Sequence, residues 1–258
     1  MAGETDGGGR SMRSAIALIA LTVTAGSAFG GAAVTDGMDD YLSQVIDPDY
    51  DILRDMFGIR SRVNPGIPGL PYDIADDSLI SFPGDTQGII DELDNAPFFG
   101  VVDTVNGTGP DVNRAQWEFD ISGMPRIQIA IDFAAMGNFE VQNDSHLFEV
   151  AIDRGLFKPL FVSSVDEEAS QNYVMANGTP VVLDDPMFVN GVPLTNDFTT
   201  LSETISGPGG VLTLRYEATT NGHPEAFAFR NILVTPEPAT LALLGLGALG
   251  LVARRRRK

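Results

Sequence analysis

The chain is well supplied with carboxylates and poor in most other side chains that perform chemistry. Its 258 residues include 35 Asp and Glu but two histidines, His146 and His223, and no cysteine. Disulfides, thiolate zinc sites and cysteine nucleophiles are therefore excluded. Carboxylates without such partners can act in pairs, as in glycoside hydrolysis, or they can bind hard cations such as calcium.

No catalytic motif organises these carboxylates. The sequence has no Gly-x-Ser-x-Gly elbow, no His-Glu-x-x-His motif and no Gly-x-x-x-x-Gly-Lys-Ser/Thr loop. His223 lies in the turn-like segment Asn-Gly-His-Pro and His146 follows Asn-Asp-Ser, so both are predicted to be solvated loop residues. We therefore predict a protein that is not an enzyme and has no catalytic residues. A secreted hydrolase is the third alternative, because acidic side chains are plentiful.

No cofactor is predicted, although the acidic composition is compatible with a structural calcium ion. Asp103 and Glu225 are the candidates for binding such an ion, and the sequence assigns no complete ligand set to them. The only tryptophan, Trp117, alternates with Phe119 and is predicted to lie in the core rather than on a sugar-binding face.

The charge of the chain limits its partners. Residues 31–235 hold 9 Lys and Arg against 32 Asp and Glu. Such a body repels a phosphate backbone, so nucleic acid is not an expected partner. It also repels anionic polysaccharide unless divalent cations bridge the two, whereas neutral glycans remain allowed.

The elements that would position these side chains are strands. Apolar residues alternate with polar ones along residues 127–133, 148–152 and 212–216, which is the period of a half-buried strand. Asn-Gly dipeptides, the strongest short signal for tight hairpin turns, punctuate the chain at Asn106, Asn177, Asn190 and Asn221. With further runs at 98–102, 117–119, 156–162, 181–183, 201–205 and 226–234, about nine strands are predicted.

Many short strands without long amphipathic helices predict an all-β fold, an antiparallel β-sandwich or jelly roll. Phe133, Phe148, Leu214 and Phe229 are predicted core residues. Residues 96–235 would form the sandwich core, and residues 34–95 would supply a first strand and loops of the same domain. A separate small domain at 34–95 is the alternative, and residues 50–57 and 86–93 show helical tendency.

Four segments, residues 117–124, 132–140, 194–198 and 225–232, resemble parts of a bacterial extracellular β-sandwich module similar to galactose-binding or lectin-like jelly rolls. This resemblance implies an alternative function, carbohydrate binding to extracellular polysaccharide. The module usually ends in Asp-Asn-Ile/Val, and in related jelly rolls that Asp often holds a structural calcium. Arg230 stands at this position, which argues against a calcium site there.

The N-terminal residues have the order of a secretory signal peptide. Arg10 and Arg13 precede an apolar run at 15–25 and small residues at 26–33. Residues 1–33 are therefore predicted to be the signal peptide, with cleavage within 28–33.

The C-terminal residues 236–258 combine Pro236-Glu237-Pro238, an uncharged apolar stretch at 239–253, and the basic cluster Arg254-Arg255-Arg256-Arg257-Lys258. A helix over 239–253 would be about 22 Å long, shorter than the roughly 30 Å hydrocarbon core of a membrane. The basic cluster would keep this end in the cytoplasm and leave the acidic body outside.

The triplet, the apolar helix and the terminal arginines resemble the PEP-CTERM sorting signal of Gram-negative bacteria. The resemblance implies partners in the export machinery and an exosortase-type protease, transient retention in the inner membrane through the C-terminal helix, and final location at the cell surface or outside the cell. A plain short membrane anchor is the alternative and gives the same topology. The predicted function is that of an exported, non-enzymatic surface or extracellular-matrix protein that is processed at this signal.

Overall fold

The computed structural model describes residues 32–34, 42–47, 49–52, 55–60, 97–105, 113–174, 180–222 and 225–237, and in these residues the regular elements are strands. Sixteen strands are formed there. They are β1 (Ala32–Val34), β2 (Ser43–Asp47), β3 (Tyr50–Ile52), β4 (Asp55–Arg60), β5 (Phe98–Val102), β6 (Asn113–Asp120), β7 (Arg126–Met136), β8 (Ser145–Ile152), β9 (Lys158–Val165), β10 (Ser170–Val174), β11 (Pro180–Asp184), β12 (Met187–Val189), β13 (Val192–Pro193), β14 (Thr199–Ser206), β15 (Val211–Thr219) and β16 (Ala226–Pro236).

The strands form two seven-stranded antiparallel sheets and a separate two-stranded ribbon. The first sheet has the order β14-β7-β16-β5-β4-β3, with β1 paired to the second half of β16. The second sheet has the order β13-β12-β9-β8-β15-β6-β2, and β10 and β11 form the ribbon. Because the chain passes repeatedly from one sheet to the other, the neighbours in each sheet are distant in sequence.

Eight of these strands give the fold its topology. The order β14-β7-β16-β5 in one sheet faces β9-β8-β15-β6 in the other, which is the strand arrangement of a jelly roll. The all-β antiparallel sandwich that the sequence predicted is therefore confirmed.

The core lies between the two sheets and is rich in aromatic rings. The four predicted core residues are buried, and so is Trp117. The Phe99 and Phe229 rings of the first sheet stack with centroids 4.6 Å apart, and Tyr216 of the second sheet contacts both at 5.7 Å and 4.9 Å. Rings of this size in offset and edge-to-face contact join the two sheets at one apolar interface.

The segment before residue 60 differs from the sequence prediction. Residues 50–52 and 55–60 are strands of one antiparallel hairpin, so the helical tendency predicted for 50–57 was wrong. Met56, Phe57 and Gly58 are buried against β5, and this long-range strand pairing overrides the local helical preference. The other helical stretch, 86–93, lies outside the described residues.

One Asn-Gly dipeptide forms the turn that its sequence predicts. Asn190 and Gly191 have φ angles of 49° and 77° and connect β12 to β13, whose residues Val189 and Val192 are paired. Positive φ at both central residues is the geometry of a type I′ hairpin turn.

Both ends of the described chain meet at β16. β1 pairs with β16 through Ala32–Val34, so it overlaps the last two residues of the predicted signal peptide. Among the described residues, no helix is long and apolar enough to cross a membrane, and the stretch 239–253 lies outside them.

Candidate functional site: a buried carboxylate cluster

Three carboxylates from two separate parts of the chain meet at one end of the sandwich. Glu140 and Asp144 belong to the turn between β7 and β8, and Glu225 immediately precedes β16. Each offers one oxygen, and the three oxygens lie within 4.8 Å of one another. Glu225 is 2% exposed and Asp144 is 4% exposed, whereas Glu140 is half-buried. We refer to these three residues as the carboxylate cluster.

Asp144 fixes the conformation of the turn that carries it. Its Oδ2 accepts a hydrogen bond of 2.6 Å from the Glu140 backbone N–H, and its Oδ1 accepts one of 3.3 Å from the Asn221 backbone N–H. The Asp144 backbone N–H in turn donates to the Glu140 carbonyl at 2.9 Å. The turn after β7 and the loop before β16 are therefore held together through one side chain.

The carboxyl group of Glu225 is less completely hydrogen-bonded than that of Asp144. Its Oε2 has no hydrogen-bond partner among the described residues although the atom is buried. Gly222 lies so close to this carboxyl group that a Cβ atom added there would stand 2.0 Å from Oε1 and 2.4 Å from Oε2. A side chain at residue 222 would therefore displace the carboxyl group of Glu225.

The electrostatics of the cluster follow from its burial. Loss of hydration raises the pKa of Glu225 well above its usual range, and the negative charges of Asp144 and Glu140 raise it further. Burial also raises the pKa of Asp144. Three negative charges are thus unfavourable at this place unless a proton or a cation neutralises part of them.

His146 lies beside the cluster on β8 and is neutral. It is buried, its Nδ1 is hydrogen-bonded to the Tyr216 hydroxyl at 2.6 Å, and its ring stacks on Phe227 at 3.7 Å. Burial lowers the pKa of His146 to about 3. The prediction of a solvated loop histidine was therefore wrong at His146, and His223 lies outside the described residues.

Only one of the two candidate residues for an ion that the sequence suggested belongs to the carboxylate cluster. Glu225 is a member of the cluster. Asp103 follows β5 and is buried next to Thr104, whose Oγ1 hydrogen-bonds with the Thr220 backbone, but its carboxylate is not one of the three grouped oxygens. Val102 pairs with Ala226, so Asp103 and Glu225 lie next to each other just beyond the paired ends of β5 and β16.

Sequence analysis missed Glu140 and Asp144. A signal for Asp144 was present, because the two-residue period of β8 extends backwards from Val150 through Phe148 and His146 to Asp144, all of which are buried. A carboxylate on an inward-facing position of a strand is unusual, and it indicates that other groups compensate for its burial. Glu140 carries no comparable signal, since it lies in the turn and only tertiary contact brings it to Glu225.

Arg230 is the residue that the sequence resemblance places where related modules carry Asp. Its guanidinium lies over the Phe198 ring, 4.1 Å from the ring centre, and its cross-strand partner is Asp132. The Asp132 carboxylate accepts hydrogen bonds from Thr200 at 2.5 Å and from Asn231 at 2.7 Å. Arg230 thus packs on an aromatic ring, and the carboxylate of its cross-strand neighbour is hydrogen-bonded to Thr200 and Asn231.

Other surfaces of the described residues carry no comparable cluster of groups. A groove of about 540 Å³ lies between β8, β9 and the end of β14 and is lined largely by aliphatic side chains such as Val150, Ile152, Leu156 and Ile205. Every described aromatic ring is buried or half-buried, including Trp117 as predicted.

The C-terminal triplet begins inside the last strand. β16 ends at Pro236, and the backbone N–H of Glu237 donates to the Arg126 carbonyl at 3.1 Å. A carboxylate oxygen of Glu237 is 2.5 Å from Nε of Arg126 at the start of β7. The other predicted sorting residues, Pro238 and Arg254–Arg257, lie outside the described part of the chain.

Residues 234–257 match the protein-family model for the PEP-CTERM protein-sorting motif. The chain carries a PEP-CTERM sorting motif. The resemblance drawn from the triplet, the apolar stretch and the basic cluster is therefore confirmed, and this motif marks the protein as exported.

No curated protein matches this chain in sequence. Among solved structures, it is similar to the CBM22-1 xylan-binding domain of Paenibacillus barcinonensis Xyn10C, with a TM-score of 0.33 and 10% identity over 81% of this chain and 97% of that chain. It is also similar to the K3 cleaved adhesin domain of Lys-gingipain from Porphyromonas gingivalis, with a TM-score of 0.32 and 11% identity over 80% of this chain and 98% of that one.

A third similarity is to the enzymatically active domain of the bacteriophage CBA120 tailspike protein 4, with a TM-score of 0.31 and 11% identity. It covers 56% of this chain, and the chain spans 16% of the tailspike chain. At these scores the similarities assign neither a ligand nor an activity to this protein.

Proposed function

We propose that this protein is an exported, non-enzymatic jelly-roll protein that is displayed at the cell surface or released into an extracellular matrix after processing at its PEP-CTERM motif. The observation that carries the proposal is the direct junction between the motif and the fold. The motif begins at residue 234, within β16, which is a central strand of the first sheet. The sorting motif therefore begins in the last strand of the jelly roll and continues directly beyond it.

This junction is consistent with export in two steps, membrane insertion followed by proteolytic processing. The predicted signal peptide, residues 1–33, starts export, and the apolar stretch 239–253 with its basic cluster holds the chain in the inner membrane with the acidic body outside. An exosortase-type protease then acts near the triplet. Its action leaves the jelly roll complete, because the triplet lies at the end of the last strand.

The geometry of the carboxylate cluster supports a role without catalysis. Glycosidases place two carboxyl groups about 5 Å to 9.5 Å apart on either side of an accessible bond. Here the grouped oxygens lie within 4.8 Å of one another, and two of the three carboxylates are almost completely buried. A sugar could not lie between Asp144 and Glu225 in this arrangement.

The proposal is tested with the full chain, expressed in a host that has the processing protease and in the same host without it. We expect intact-mass analysis to show loss of residues after the triplet only when the protease is present, with the product outside the inner membrane. Deletion of Arg254–Lys258 should leave an uncleaved, envelope-bound chain. Retention of residues 239–258 on the native product in protease-containing cells would overturn the proposal.

A glycan array with the processed protein, run with and without calcium, separates the surface protein from the carbohydrate-binding alternative. Sugar-binding faces commonly present an exposed aromatic ring. Because the described rings are buried or half-buried, we expect no glycan to bind. Specific, saturable binding of one glycan class would favour the carbohydrate-binding function instead.

A further inference from the structure

We propose that Glu140, Asp144 and Glu225 form a binding site for one divalent cation of the calcium type. The proposal is independent of the route by which the protein is exported, and it rests on the arrangement of these three side chains. No catalytic role is involved. The cation would join two parts of the chain that are 81 positions apart at their closest members, Asp144 and Glu225.

The first support is the spacing of the three oxygens. Calcium binds oxygen ligands at 2.3 Å to 2.6 Å, so two ligands on opposite sides of the ion stand about 4.6 Å to 5.2 Å apart, and others stand closer. The three cluster oxygens all lie within 4.8 Å of one another. They therefore fit around one calcium ion with little movement of the surrounding chain.

The second support is one buried oxygen of Glu225 that lacks a hydrogen-bond partner, although the same carboxyl group is hydrogen-bonded to the Gly222 backbone. Oε2 of Glu225 has no hydrogen-bond partner among the described residues, although the side chain is 2% exposed. Buried polar atoms are almost always paired, and an unpaired one calls for an explanation such as an ion. A cation among the three carboxylates would give this oxygen a partner.

The third support is electrostatic. The three carboxyl groups are brought together at a place where Asp144 and Glu225 are almost completely removed from water. Like charges at this separation repel one another, and buried charges are normally paired or bound to a metal ion. A divalent cation among the three oxygens would neutralise two of the negative charges.

The donor set indicates the class of cation. All three ligands are carboxylate oxygens, which hard cations prefer, and the nearby His146 is not among the grouped ligands and bonds Tyr216 instead. Magnesium demands octahedral geometry at 2.0 Å to 2.1 Å and keeps most of its water, which a buried site accommodates poorly. The larger and more flexible coordination of calcium fits the cluster better.

A bound cation would cross-link two parts of the chain at one end of the sandwich. The turn with Glu140 and Asp144 connects β7 in the first sheet to β8 in the second, and Glu225 leads into β16 in the first sheet. Fixing these three residues to one ion holds the end of the sandwich closed. Because the unfolded chain has no such site, binding stabilises the fold in proportion to the logarithm of calcium concentration above Kd.

The test uses the full chain, freed of metal with a chelator and titrated with calcium chloride and, separately, magnesium chloride. We expect one calcium per chain in calorimetry, a Kd of about 10⁻³ M or tighter, as in extracellular calcium modules, and a saturable rise in melting temperature. Magnesium should bind at least tenfold more weakly. The Glu225→Gln variant should lose at least tenfold in calcium affinity, whereas its metal-free melting temperature should not fall below that of the parent, since Gln has nearly the same shape as Glu and brings no negative charge to the cluster.

The matched control is Glu168→Gln, which removes one exposed carboxylate in the turn between β9 and β10 and should leave calcium affinity unchanged. If Glu225→Gln does not fold, the half-buried Glu140→Gln gives the same comparison. Absence of saturable calcium binding by the parent would overturn the proposal. So would equal responses to calcium and magnesium that neither cluster variant alters, because they would reflect general screening of the acidic surface.

Discussion

Glu237, the middle residue of the Pro-Glu-Pro triplet, is ion-paired with Arg126 at the start of β7, with 2.5 Å between Oε2 and Nε. The Arg126 side chain is 54% exposed and the Glu237 side chain 18% exposed. An ion pair with one such exposed partner is worth at most about 1 kcal/mol. The glutamate thus contributes little to the stability of the jelly roll, although it is in contact with it.

The first prediction separates the two roles of Glu237. Glu237→Gln should block processing and change the free energy of unfolding by less than about 1 kcal/mol. Arg126→Gln removes the same ion pair but leaves the triplet intact, so processing should continue. Intact-mass analysis of the exported chain and urea unfolding measure the two effects. If Arg126→Gln blocks processing as completely as Glu237→Gln, the protease requires the docked triplet rather than the glutamate alone.

The second prediction concerns the aromatic core. Phe229 is buried and contacts Phe99, Trp117, Phe148 and Tyr216. Phe229→Ala should therefore lower the free energy of unfolding by about 3 to 5 kcal/mol, because it leaves a cavity between the sheets.

The control for this variant is Leu156→Ala, on a side chain that is 89% exposed. It should change the free energy of unfolding by no more than about 0.5 kcal/mol. Denaturant unfolding followed by tryptophan fluorescence measures both, since Trp117 lies in the same core. Equal effects of the two substitutions would contradict the packing described for Phe229.

The sequence predicted the main strands of the sandwich and missed β4. β7, β8 and β15 alternate clearly, and their inward residues Phe133, Phe148 and Leu214 are buried as predicted. β4 lies in a segment rich in Pro, Gly and Asp, and it becomes a strand only through its pairing with β5, which is distant in sequence. Local propensity carries no information about such a partner.

The candidate site was predictable only in part for the same reason. Glu225 was a candidate from sequence, but Glu140 and Asp144 come close to it only because β7, which precedes their turn, pairs with β16. The environment of His146 was also set by tertiary packing, since Tyr216 and Phe227 come from two other strands. The sorting motif, in contrast, is a contiguous signal and needs no fold to be recognised.

The third prediction is that the free energy of unfolding falls at alkaline pH. Burial raises the pKa of Tyr216 well above its usual value and that of Tyr173 as well. In the unfolded chain both ionise near pH 10, so the folded form keeps protons that the unfolded form releases. The contribution to stability is complete below pH 10 and is lost as the pH rises above 10.

Tyr216→Phe tests this assignment. At pH 8 it should lower the free energy of unfolding by about 1 to 2 kcal/mol, since the His146 Nδ1 loses its hydrogen bond. Between pH 10 and 11.5 its stability should fall less steeply than that of the parent. Urea unfolding across this range gives both values, and an unchanged slope in the variant would show that Tyr216 ionises normally in the folded protein.

The last prediction concerns the glycine that makes room for Glu225. A Cβ atom at Gly222 would lie 2.0 Å from Oε1 of Glu225, whereas one at Gly210 would approach nothing closer than 3.7 Å. Gly222→Ala should therefore push the Glu225 carboxyl group out of the cluster and reduce calcium affinity at least tenfold, while Gly210→Ala should leave it unchanged. Neither residue has a positive φ, so the difference between the variants is steric. Calorimetric titration of the two variants with calcium measures it, and equal affinities would mean that Glu225 reaches the cation without the space that Gly222 provides.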